Sequence, residues 1–110
     1  MITRFALFEG SVKEGQIGAF RSAVLERLVP LWRQFPGNTD VRVMFSEDRD
    51  EGAPEFPLIL AISYPDQAVM EAALESPARH QSKEVTGEIV AEFFEGRIHH
   101  HVTSRHAFRG

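Results

Sequence analysis

Between Pro57 and Pro65 runs an almost unbroken apolar stretch, Leu58-Ile59-Leu60-Ala61-Ile62-Ser63-Tyr64. A strand with one face in water alternates apolar and polar residues, so a stretch this continuous reads as a strand covered on both faces. Proline cannot donate to a ladder, and the two flanking prolines bracket the strand. Any fold open to this chain must place something on each side of it. With 110 residues the chain supports one core and one domain, residues 1–110. The two covers are therefore expected to be helices on one side and a second copy of the protein on the other.

The remaining elements follow from periodicity. Residues 2–9 alternate loosely: Ile2, Arg4, Ala6 and Phe8 lie on one face, Thr3, Phe5, Leu7 and Glu9 on the other. Both faces are partly apolar. Gly10 to Gly15 reads as a turn in which Ser11 and Glu14 have capping-box spacing. A first helix is predicted over about 14–35, with Ile17, Phe20, Val24, Leu28, Leu31 and Phe35 as its apolar stripe. Pro30 lies inside that pattern and should kink or split the helix near Leu28.

Asp40 to Glu47 is the second strand, with Val41, Val43 and Phe45 on one face. Residues 47–55 form an acidic, solvated connection to the third strand, so strands two and three pair antiparallel. Asp66 caps a helix to Glu75, and Ser76 with Pro77 at the first helical position starts another. Gly96 is expected to end that helix, followed by a last strand over 97–103 and a tail. The order β-α-β-β-α-β is the ferredoxin-like α+β arrangement, a four-stranded antiparallel sheet with helices on one face. Its other face carries Phe5, Leu7, Met44, Ile59 and Ala61. An apolar face of that size predicts a homodimer formed through it.

Composition removes several function classes. The net charge of −4, with no basic cluster, argues against nucleic acid as a partner. No apolar run approaches the roughly 20 residues a membrane helix needs. The absence of cysteine removes disulfides and thiolate chemistry, and fits a cytoplasmic setting. The chain enters a strand-like pattern directly after Met1, so no signal peptide is expected.

The whole chain resembles the dimeric α/β-barrel superfamily. The stretch from Tyr64-Pro65-Asp66 through Glu71-Ala72-Ala73-Leu74-Glu75-Ser76-Pro77-Ala78-Arg79-His80 is similar to one segment of two families within it. These are the antibiotic-biosynthesis monooxygenases and the family named after ethyl tert-butyl ether degradation. In that segment a strand, an acidic helix and a Ser-Pro step follow one another. The resemblance implies two sheets packed face to face into a barrel. It also implies activities ranging from cofactor-independent oxygenation to lactone isomerisation and haem degradation. Haem-degrading members use a helix histidine with an asparagine and a tryptophan. His80 answers to the histidine, but strand one offers Thr3 and Arg4 instead of the asparagine, and Tyr64 stands near the tryptophan's place. No cofactor is expected.

Five residues are candidates for a site. His80, in the first turn of the last helix, and His100 are the candidate catalytic groups, because neutral imidazole accepts or donates a proton near pH 7. For His80 the alternative is a surface histidine; for His100 it is a satisfied buried one. His100 shares a face with Ile98 and Val102, which is either the helix side or the barrel side. Tyr64 closes the central strand and can donate a hydrogen bond. Arg4, inside the first strand, suits a carboxylate or enolate, or else extends to solvent. Trp32 is a residue of the core or of an interface, or else a ligand platform. His99 and His101 share a strand face at H-x-H spacing, but without an evident third ligand beyond His106 or a partner's acidic residue no metal is expected. Two functions remain open: a small-molecule enzyme, monooxygenase-like or isomerase-like, and a non-catalytic ligand-binding or accessory protein of the same fold.

Overall fold

A computed structural model describes all 110 residues. The elements are β1 (Ile2–Val12), α1 (Ile17–Ala23), a π-helical turn (Val24–Leu28), α2 (Val29–Trp32), β2 (Asp40–Phe45), β3 (Leu58–Tyr64), α3 (Gln67–Leu74), α4 (Pro77–Phe93) and β4 (Phe94–Ser104). The sheet has strand order β2-β3-β1-β4 and every pairing is antiparallel. This is the ferredoxin-like α+β architecture read from the sequence. The apolar stretch Leu58–Tyr64 is an inner strand, paired to β1 and β2.

Register sorts the side chains. Ile2 lies opposite Tyr64, Arg4 opposite Ile62, Ala6 opposite Leu60 and Phe8 opposite Leu58. On the other side of β1, Arg4 pairs with Val102, Ala6 with His100 and Phe8 with Ile98. Ala6, Phe8, Leu58, Leu60, Ile62 and Tyr64 belong to the core cluster that also holds helix residues Phe20, Val24, Leu28, Met70, Ala73 and Ile89. That face is therefore the helix side, and His100 is on it. The outer face carries Thr3, Phe5, Leu7, Met44, Ile59, Ala61, His99 and His101, where no helix packs.

The first helical region shows how spacing shapes backbone. Phe20, Val24, Leu28 and Trp32 recur every four residues and are all buried. In a regular α-helix each step of four overshoots a turn of about 3.6 residues, so three such steps rotate the last side chain well off the buried stripe. The wider π turn at Val24–Leu28 absorbs that drift. Pro30 supplies no N–H to the carbonyl four residues earlier, which breaks the α ladder where the turn widens. The split expected near Leu28 is thus present. Trp32 joins the core at 3% exposure, as the core reading of it held, while Ile17, expected on the apolar stripe, is left 46% exposed.

Two boundaries differ from the sequence reading, for one reason. The β1–β4 ladder continues to Val12↔Phe94, so residues 10–12 are strand rather than turn. Ser11 pairs with Glu95, and α1 starts at Ile17 without a side-chain cap. Gly96 does not end a helix. It lies opposite Gly10, both with positive φ (+156° and +147°), and a Cβ on either would collide with backbone of the other strand. Long-range pairing here overrides the local capping signal.

Gly96→Ala is therefore expected to lose at least about 2 kcal/mol, from strain and collision together. Gly87→Ala, in the open interior of α4, is expected to gain about 0.5–1 kcal/mol from helix propensity. Urea midpoints of the two variants check the contrast.

Candidate functional site

Local capping sets the helices over the sheet. The Asp66 carboxylate accepts the Val69 N–H at 2.9 Å and starts α3. The Ser76 hydroxyl accepts the Arg79 N–H at 3.3 Å, and Pro77 occupies the first position of α4. From that start, Arg79, Lys83, Thr86, Gly87 and Val90 fall on one stripe of α4 facing a cavity. The missing side chain at Gly87 leaves room in that wall.

The cavity lies between the helices and the helix side of the sheet, has a volume of about 350 Å³, and is lined by 16 residues, of which 10 are hydrophobic. This is the size and character of a small-molecule site. Trp32, Phe35, Leu60 and Ile62 form its apolar body. Its polar groups are Arg4, Tyr64, Arg79, Lys83, Thr86 and His100.

Four of the five candidate residues line this cavity: Arg4, Trp32, Tyr64 and His100. They come from β1, α2, the end of β3 and β4, and only the register brings them together. Arg4 pairs with Ile62 on one side and Val102 on the other. Tyr64 and His100 are then its diagonal neighbours, two residues along on either flank, within reach of long side chains. The placement expected for His80 is corrected. His80 is exposed and does not line the cavity. Its backbone N–H bonds the Ser76 carbonyl, and a single residue's rotation about the helix axis gives the cavity to Arg79 instead. Arg79 and Lys83 were missed by the sequence reading. The signal for them was their positions three and seven residues after the Ser76 cap, four apart on one helix face.

The electrostatics are one-sided. Burial lowers the pKa of Arg4, and nearby Arg79 lowers it further. Burial raises the pKa of Tyr64, partly offset by the two guanidinium groups. His100 is lowered to about 4, first by loss of hydration against the cavity wall, then by Arg4, Arg79, His99 and Lys83. Its ring keeps substantial exposure at the mouth, yet wall and cations push in the same direction. At neutral pH it is uncharged. Tyr64 is 1% exposed.

The H-x-H pair faces the other way. His99 Nε2 lies 2.7 Å from Glu9 Oε1, with Arg97 on the same carboxylate at 3.4 Å. The His99 hydrogen bond, reinforced by Arg97, holds Glu9 below the usual carboxylate range. No group of three or more His, Cys, Asp or Glu side chains is arranged to hold a metal ion.

No family model matches the chain. No curated protein matches it either. Solved structures do. A protein of the EthD (ethyl tert-butyl ether degradation) family from Bacillus halodurans superposes with a TM-score of 0.77 at 20% identity, over 96% of this chain and 99% of that one. The chain shares the ferredoxin-like α+β fold of these solved structures. SnoaB, a cofactor-independent oxygenase from Streptomyces nogalater whose structure is that of a point mutant, gives 0.65 at 15% identity over 97% of this chain and 94% of that one. A dimeric ferredoxin-like protein of unknown function from Jannaschia gives 0.64 at 20% identity over 94% and 98%. Together these neighbours bear out, at the level of fold, the resemblance read over the whole chain. No helix is long and apolar enough to cross a membrane.

The His100 shift gives a pH signature with a fixed sign. Between the ordinary histidine value of 6.5 and about 4, the unfolded chain binds a proton that the folded chain refuses. Stability therefore falls as pH drops through that window. In urea titrations from pH 7 to pH 4, His100→Gln is expected to lose stability less steeply than the unmodified protein, with the difference confined to that interval.

Proposed function

We propose that the protein is a small-molecule enzyme of the cofactor-independent oxygenase or isomerase kind, with its substrate in the cavity between helices and sheet. The observation that carries this is the convergence of a neutral imidazole, a buried phenol and guanidinium groups on one wall of an otherwise apolar cavity. Both reactions begin with the same step, removal of a proton from an acidic C–H or O–H of the substrate. His100, uncharged at neutral pH, is the group available to accept that proton. Tyr64 is placed to donate a hydrogen bond to the oxygen on which negative charge develops, and the raised pKa keeps it protonated to do so. Trp32 with Leu60 and Ile62 holds the apolar body.

For an oxygenase, a CH₂ group beside a carbonyl or aromatic ring and one O₂ give C=O and one water. All four electrons come from the substrate carbon, so no external reductant enters. For an isomerase, the proton is returned at another carbon. The likeness to SnoaB supports the oxygenase branch at the level of fold. Non-catalytic binding in the same cavity is the competing account. It draws on the weak basicity of His100 in the empty site, where burial and the cationic neighbours lower its proton affinity.

Oxygen uptake and ultraviolet spectra with a panel of enolisable aromatic ketones and phenols test the proposal. Turnover that falls by about 10²-fold or more in His100→Gln is expected. Turnover unaffected by that change removes His100 from the mechanism, and no turnover across the panel favours the binding protein.

A homodimer through the outer sheet face belongs to the same proposal, supported by the apolar residues there and by the dimeric neighbour of the same fold. Met44, 40% exposed on that face, and Phe5 beside it are the natural probes. Sedimentation at micromolar concentration is expected to give a dimer for the unmodified chain. The Phe5→Lys and Met44→Glu double variant is expected to be a folded monomer, and a monomeric unmodified chain overturns the interface.

A further inference from the structure

The cavity collects cations that nothing in the protein neutralises. Arg4 and Arg79 are close enough to lower Arg4's affinity for its proton, and Lys83 stands one turn further along α4. The six ion pairs of the protein involve Arg21, Arg27, Arg42, Arg49, Arg97 and His99; none involves Arg4, Arg79 or Lys83. No Asp or Glu is among the cavity residues, although the chain has 16 acidic residues against 12 Lys and Arg. Arg79 has one hydrogen bond, to the Leu74 carbonyl at 3.3 Å, and Arg4 makes none to the protein. Withdrawing a guanidinium from water beside a second one is unfavourable, and nothing within the fold offsets that cost here. Arg4 is half-buried, and its strand places it between Tyr64 and His100 on the cavity wall.

From this arrangement we infer that the cavity binds an apolar, ring-sized molecule carrying one carboxylate, held between Arg4 on β1 and Arg79 on α4. The inference rests on the proposed small-molecule site and adds the chemical class of its ligand. Guanidinium pairs are suited to carboxylate because their planar N–H forks match its two oxygens. Ten hydrophobic lining residues leave an apolar body to match, with Trp32, Phe35, Leu60 and Ile62 against it. Lys83, exposed at the rim, draws the anion in without gripping it. The anion also couples to chemistry. Neutralising Arg4 and Arg79 removes two of the influences that hold the His100 proton affinity down, so the imidazole becomes a better base once the carboxylate is seated.

Calorimetry on the full chain with 2-naphthoate and its neutral isostere 2-naphthamide tests this, with emission of Trp32, the only tryptophan, as a second reading of occupancy. Naphthoate is expected to bind at least ten-fold more tightly than naphthamide. Arg4→Gln and Arg79→Gln should each weaken naphthoate ten-fold or more and leave naphthamide within two-fold; Lys83→Gln should cost three-fold or less. Urea midpoints of the two arginine variants should be unchanged or higher, because an unpaired charge has been removed. Equal affinity for both probes, binding of naphthamide alone, or binding of neither overturns the inference. Naphthoate binding as expected in a protein with no oxygenase or isomerase turnover leaves the inference standing and removes the enzyme. Binding of naphthamide alone does the reverse, since the cavity is then a small-molecule site without an anion preference.

Discussion

Everything at the site depends on the long antiparallel ladder between β1 and β4. It runs from Ile2↔Ser104 to Val12↔Phe94 and joins the two ends of the chain. Eleven pairs in one register leave no freedom over which side chain meets which, because a slip of one residue would turn every side chain to the opposite face. That register puts Arg4 and His100 at diagonal positions on the helix side and sends His99 and His101 to the outer face. Gly10 and Gly96 allow the two backbones to approach where any side chain would collide. The ladder is thus a packing device and a site-building device at once.

On the helix side the core is divided. Toward α1, the rings of Phe8, Phe20, Phe93 and Phe94 pack edge-to-face and stacked, with centroids 5.9–6.4 Å apart. Along α4 from Arg79 to Val90, Gly87 and the small Ala6 of β1 carry little or no side chain, and the cavity lies there. The cations lining that space raise the energy of the empty state, and an uncharged His100 is the response of the one cavity group able to give up its charge near neutral pH. An electrostatic imbalance inside a net-negative protein is better explained by what enters the cavity than by the stability of the fold.

Much of this was legible from sequence, and the reasons are local. The Leu58–Tyr64 strand announced itself by continuity between two prolines, and the Asp66 and Ser76 caps by side-chain chemistry acting within three residues. The break near Leu28 followed from a proline without a donor. The misreadings share the opposite character. Ser11 and Glu14 have capping-box spacing, yet Ser11 is taken by β4, and Gly96 carries a helix-stop signature but serves the sheet. His80 looked like the chemical residue of α4, but which of two adjacent positions faces the cavity depends on how the helix is docked, and the docking favours Arg79.

The sequence by itself determined the order of elements, the continuous apolar inner strand and an apolar second sheet face, because periodicity and capping act over a few residues. Tertiary structure alone decided that Arg4, Tyr64, Trp32 and His100 meet while His80 does not. It also decided that His99 bonds Glu9 across 90 residues of chain. Those outcomes depend on register and on the rotation of packed helices, which long-range pairing and core packing set together and which no short window of sequence contains.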